Sequence, residues 1–168
     1  MSESEKRGET YSTFIKDQLD AEYDRRASLD ARGIAVITTS GVLATLVIGA
    51  ASLALGKEYV PSTLGRSLVV AGLILFCGAA LFGLIASALR SYDVAKRARL
   101  EDMTSNAHWA DSEEEARRNT AASNTATVKS LREGNDQKAT KLVIGLSLQL
   151  LAVASLVAAV VTEFLAVT

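Results

Sequence analysis

The chain has 168 residues, a net charge of −1 and 49% hydrophobic residues. A charge this close to zero excludes the sustained basic surface that duplex nucleic acid demands, so no nucleic-acid partner is expected. The single cysteine, Cys77, excludes an intrachain disulfide framework and, with one histidine, a thiolate or imidazole metal set, so no metal or cofactor is expected on these grounds.

Residues 1–32 are polar, with an acidic start where a cleavable signal would put a basic and then an apolar segment, so no such signal is expected. Ile15, Leu19, Tyr23 and Ala27 recur at four-residue spacing with no Gly or Pro between residues 11 and 32, which predicts an N-terminal helix running into the segment that follows. That segment, residues 33–55, holds no charged side chain. About 20 apolar helical residues cross the roughly 30 Å hydrocarbon core of a bilayer, so it is predicted as the first transmembrane helix. A hairpin loop over 56–66, around Pro61, leads to a second uncharged stretch, 67–89. A third, 142–162, follows a polar segment of residues 90–141, and residues 163–168 close the chain. The predicted fold class is an all-α membrane protein with three transmembrane helices and a helical cytoplasmic stalk.

Orientation is read from Lys and Arg, whose excess marks the cytoplasmic flanks. Residues 1–32 and 90–141 carry nearly all of them, whereas the 56–66 loop has only Lys57 and Arg66. The expected arrangement is a multi-pass inner-membrane protein with a cytoplasmic N-terminus, a cytoplasmic helical hairpin over 90–141 and an external C-terminus. Within that hairpin, Leu89, Tyr92, Lys96, Leu100, Met103 and Ala107 mark one helical face. His108 and Trp109 fall at the turn. Ser112 with Glu115 forms a capping-box pattern that starts a new helix, Gly134 and Asn135 signal its end, and Asp136 is placed to cap the third span. The apolar stripe of this stalk is thin, resting in its last helix on Ala121, Ala122, Ala126, Val128 and Leu131. Oligomerisation or a ligand is expected to stabilise it.

Small residues recur at helical spacing within the spans: Gly41, Thr45 and Gly49 in the first, Ala79, Gly83 and Ser87 in the second. Such faces let helices approach closely in lipid, either inside one chain or between chains. Cys77 is expected to pack in the core, and Gln149 with Thr38, Thr39 and Ser40 to bond across helices. No acid, Lys or Arg falls inside a span, which disfavours a proton relay or transporter. Nor does any nucleophile have an obvious His and acid within reach, so a non-enzymatic role is expected.

Beside the spans lies a basic collar. Arg25, Arg26, Arg32, Lys96, Arg97, Lys129 and Arg132 are its candidate ligand contacts, either for lipid headgroups or for a phosphate held between stalk helices. Arginine suits phosphate because its planar fork gives paired hydrogen bonds.

A helix bearing DRRASLDARGIAVITTSG into the first span, a short external hairpin, a long internal helical segment and a third span entered through NDQKATKLVIGLSLQLLAVAS resemble the transmembrane effectors of bacterial Pycsar anti-phage systems. The resemblance covers most of the chain and rests on its layout and on the patches 27–41 and 135–151. It implies a partner nucleotide cyclase that makes a cyclic pyrimidine mononucleotide on infection. That ligand would trigger the effector to assemble as a homo-oligomer and impair the membrane. A membrane scaffold for plasmid transfer or envelope assembly, binding proteins through the stalk, is the alternative reading.

Overall fold

The computed structural model describes residues 3–54, 62–88, 101, 103, 105, 109 and 111–167. Three long helices account for nearly all of them: α1, Glu3–Ala54; α2, Thr63–Ser87; and α3, Glu113–Val167. Each is long and apolar enough to cross a membrane. The chain divides into two compact units, one of Met1–Ser28 with Leu89–Gln137 and one of Leu29–Ala88 with Lys138–Thr168. Lys96, Arg97, His108, the face running from Leu89 to Ala107 apart from Met103, and most of the 56–66 loop lie outside the described residues.

The second, apolar unit is built from seams spaced alternately three and four residues apart, the spacing that keeps one helical face against its neighbours. On α1 the seam is Leu29, Gly33, Val36 and Ser40; on α2 it is Gly65, Gly72, Phe76, Ala79, Gly83 and Ala86. On α3 it is Lys138, Leu142, Gly145, Ala152, Leu156 and Ala159. Leu29, Val36, Ala79, Ala86 and Leu142 form one buried cluster, and Phe76, Ala152 and Leu156 a second, with Leu43, Val47 and Val69 around it. The large apolar side chains point the other way. Leu46, Ile74, Leu81, Leu150 and Val160 are all exposed, which is the inverse of a water-soluble bundle and suits a hydrocarbon solvent.

Small seam residues set how closely these helices approach. A Cβ built on Gly33 would stand 2.9 Å from the Gly83 carbonyl oxygen, and one on Gly83 would stand 2.8 Å from that of Gly33. These two backbones are in direct contact. Gln149 Nε2 donates to Thr39 Oγ1 at 2.9 Å and Ser155 Oγ to the Leu68 carbonyl at 2.8 Å, whereas Thr38 returns its hydroxyl to its own helix at the Ile34 carbonyl and the buried Ser40 hydroxyl meets no partner among the described residues. Cys77, by contrast, is exposed, because it falls one position past the buried Phe76 and points about 100° from it.

Each end of the unit is closed by a charged residue of α3. At one end the Lys138 ammonium, 3% exposed, pairs with the Asp30 carboxylate of α1. At the other, the Glu163 carboxylate accepts from both the backbone N–H (3.0 Å) and the hydroxyl (2.6 Å) of Ser62, while the Ser62 hydroxyl caps α2 by accepting from Gly65 N at 3.0 Å. The rise from residue 138 to 163 is about 37 Å, so the two charged groups bracket a hydrocarbon core with a little to spare. A Cβ at Gly65 would collide with the Glu163 carboxylate. Gly65→Ala and Glu163→Ala are therefore expected to cost about 1–2 kcal/mol each and, since they remove the same clasp, to combine far less than additively. Unfolding of the single and double variants in mixed micelles checks this.

In the first, polar unit, α3 starts where the capping box predicts. Ser112 Oγ accepts from Glu115 N at 3.3 Å, and Glu115 Oε2 accepts from Ser112 N at 3.2 Å. The expected stop at Gly134 and Asn135 is not used. A glycine ends a helix through a left-handed residue, and no glycine among the described residues has positive φ. Instead Gly134 and Asn135 are buried in an unbroken helix, and Asp136 caps nothing but accepts from Arg25. The helix predicted from Ile15, Leu19, Tyr23 and Ala27 is present and runs on into the first span, but those residues are not its buried face. Tyr23 is 39% exposed and Ala27 exposed, and Glu22 is buried in their place at 6%. The cause lies across the unit: α3 offers Arg132 and Asn135 at that level, and a carboxylate satisfies them where a tyrosine ring could not.

Candidate functional site

A polar constellation among the described residues of the polar unit grows around the buried Glu22. Gln18, Glu22 and Arg25 lie three or four residues apart on α1 and so project from one side; Asn135 and Asp136 follow Arg132 by three and four residues on α3. The Glu22 carboxylate is the hub. It accepts from Arg132 Nε at 2.9 Å and from Asn135 Nδ2 at 3.0 Å, and Arg25 NH1 stands 3.6 Å from it. Asn135 Nδ2 also donates to the Glu22 backbone carbonyl at 2.9 Å. At the rim, Arg25 NH2 donates to Asp136 Oδ1 at 2.8 Å and Arg132 NH2 to Gln18 Oε1 at 3.4 Å. Asn135 is completely buried, and its Oδ1 meets no donor.

Two opposed effects act on Glu22. Burial pushes its pKa up, but the hydrogen bonds from Arg132 and Asn135 and the charges of Arg25 and Arg132 outweigh it, so the net pKa is lowered. The hydrogen bond to Asp136 is the main cause that raises Arg25, against a smaller penalty from burial. A carboxyl with a lowered folded-state pKa contributes stability that is present above its unfolded pKa, ordinarily about 4.3, and is lost as pH falls through the folded value. Thermal melts of the detergent-solubilised chain between about pH 6 and 3 are thus expected to show a loss below about pH 4 that Glu22→Gln lacks. An equal slope in both proteins would remove Glu22 from the acid transition.

The arrangement divides the collar read from the sequence. Arg25 and Arg132 are brought together, and each already pairs with an acid of the chain itself. Arg26 is half-buried on α1, one turn after Glu22. Lys129 is exposed one turn from Arg132 in the polar unit, whereas Arg32 is exposed in the apolar unit. Of the small residues, Ala79 and Gly83 are buried in the seam, and Ser87 Cβ lies 3.2 Å from a Cβ built on Gly33. Gly41 and Gly49 face open space, and Thr45 is exposed, its hydroxyl returned to its own helix at the Gly41 carbonyl.

Sequence reasoning missed Gly33, Glu22 and Asn135. Gly33 was visible as half of a Gly33–Gly83 pair only with the helix register in hand. For Glu22 and Asn135 a signal did exist: each sits on the three-four seam that continues to Leu29 on α1 and to Lys138 and Leu142 on α3. No group of three or more His, Cys, Asp or Glu among the described residues is placed to hold a metal ion. No protein-family model matches the chain, and neither a curated protein nor a solved structure matches it.

Proposed function

We propose that this chain is a non-enzymatic inner-membrane effector that is triggered by a cyclic nucleotide and impairs the membrane in which it sits, acting in anti-phage defence by abortive infection. One observation carries the reading: α1 and α3 each supply residues both to an apolar unit suited to lipid and to a unit whose helices pair through guanidinium and carboxylate groups. Pairing of that kind responds to an anionic ligand, because a phosphate competes for the same guanidinium donors. A ligand shifts such an equilibrium only by its differential affinity for the two states, and an altered α1–α3 pairing supplies two states to discriminate. The resemblance to Pycsar effectors adds a cyclic pyrimidine mononucleotide as the ligand and a nucleotide cyclase as the functional partner. On this reading the N-terminus is cytoplasmic and the C-terminus external, and the active form is a homo-oligomer.

The test is membrane potential and inner-membrane permeability in cells expressing the protein, with and without each member of a cyclic-nucleotide panel. Depolarisation with a pyrimidine cyclic mononucleotide alone is the expected result. Verified insertion with no response to any nucleotide would overturn the proposal and favour a scaffold that binds proteins.

A further inference from the structure

We propose that Glu22 is the resting occupant of an oxyanion site formed by Arg25, Arg132 and Asn135, and that the phosphoryl group of a soluble small molecule exchanges with it. The donor set is that of a phosphate site: a guanidinium Nε at 2.9 Å, an amide Nδ2 at 3.0 Å and a second guanidinium at 3.6 Å converge on one anionic group. The anion comes from the chain itself, and Arg25 also donates to the Asp136 carboxylate at the rim. The two guanidinium side chains are 42% and 53% exposed, so an anion from solvent reaches them directly, whereas the Glu22 side chain at 8% forms the closed end of the site.

The resting arrangement is also incompletely satisfied, since the Asn135 carbonyl oxygen is buried without a donor. A phosphoryl compound that also carries an O–H or N–H donor would fill that deficit, which glutamate cannot. Because Glu22 is tethered, it competes at an effective concentration on the order of millimolar, and a weak or scarce anion leaves the site closed. The internal carboxylate thereby sets a threshold for response. This inference deepens the proposed function and rests on it for the nucleotide, although the anion chemistry stands on the geometry.

The experiment is titration of the full detergent-solubilised chain with inorganic pyrophosphate, followed by calorimetry. Glu22→Gln keeps the side-chain shape and an acceptor for Asn135 but removes the competing charge. It is expected to bind pyrophosphate at least about tenfold more tightly than the unaltered chain, equivalent to about 1.4 kcal/mol. Adding Arg132→Gln to that variant is expected to abolish the gain. Glu22→Asp, which keeps the charge but draws it back from Arg132, is expected to fall between and guards against a misfolded Glu22→Gln chain. Equal affinity in all of these, or a gain that survives Arg132→Gln, would overturn the proposal. A second arm repeats the titration in bilayer discs with and without phosphatidylglycerol. If the anionic lipid alone removes pyrophosphate binding from Glu22→Gln, the occupant is a headgroup and the assignment to a soluble molecule falls. Intact pyrophosphate exchange without nucleotide-triggered depolarisation would refute the proposed function and leave this site standing.

Discussion

Asp30→Asn is expected to destabilise the apolar unit by about 3–5 kcal/mol, and Lys138→Met by less, about 1–3 kcal/mol. The asymmetry follows from where the two charges sit. Lys138 is 3% exposed, on the α3 seam one turn before Leu142, whereas the Asp30 side chain keeps 32% of its surface in contact with solvent. Losing the carboxylate takes the paired anion from a buried ammonium; losing the ammonium leaves a carboxylate that water still reaches. In the double variant both charges of the pair are gone, and Met fills the volume of the Lys stem, so its stability is expected to return to within about 1 kcal/mol of the original. Unfolding of the three variants in mixed micelles gives the double-mutant cycle directly. Additive losses in the double variant would show that the two residues are not a pair.

This ion pair also illustrates what a single sequence can and cannot disclose. The three spans were legible because twenty or more residues without a charge can satisfy their backbone only as helices in hydrocarbon, and nothing remote alters that. The Ser112–Glu115 cap and the Gln149–Thr39 contact were legible because the first is local and the second is forced by an amide that needs a partner inside the span. The phase of α1 was not. Reading apolar residues as buried selects Ile15, Leu19, Tyr23 and Ala27, but in the polar unit α1 buries Glu22, and the apolar signal points about 100° off. Gly134–Asn135 misled for a related reason. In isolation the pair reads as a helix stop, yet the Asn135 amide is worth more bonded to Glu22 inside a continuing helix than exposed at an end. In both places a buried polar partner from a remote part of the chain decided the outcome, and spacing within one helix carries no record of that partner.

The glycines of α1 and α2 supply the second large effect. Gly83→Leu is expected to cost about 2–3 kcal/mol or to prevent α1 and α2 from docking, because the new Cβ alone would stand 2.8 Å from the Gly33 carbonyl oxygen, 3.1 Å from Ile37 Cγ1 and 3.3 Å from Val36 Cβ. Backbone oxygen cannot rotate aside as a side chain can, so the helices must separate, and separation forfeits the contacts of Val36 with Ala79 and Ala86 as well. Gly33→Leu meets the reciprocal obstacle at the Gly83 carbonyl and is expected to behave alike. Gly41→Leu and Gly49→Leu should leave the stability of the single chain unchanged, since a Cβ at either position meets nothing within 4 Å. These four variants therefore separate two uses of the same residue type. Unfolding in mixed micelles reads the first use, and sedimentation or crosslinking in the membrane reads the second. A drop in oligomer size with Gly41→Leu or Gly49→Leu at unaltered unfolding would assign that open face to contact between chains, whereas unaltered assembly would leave close helix approach to the seams inside the chain.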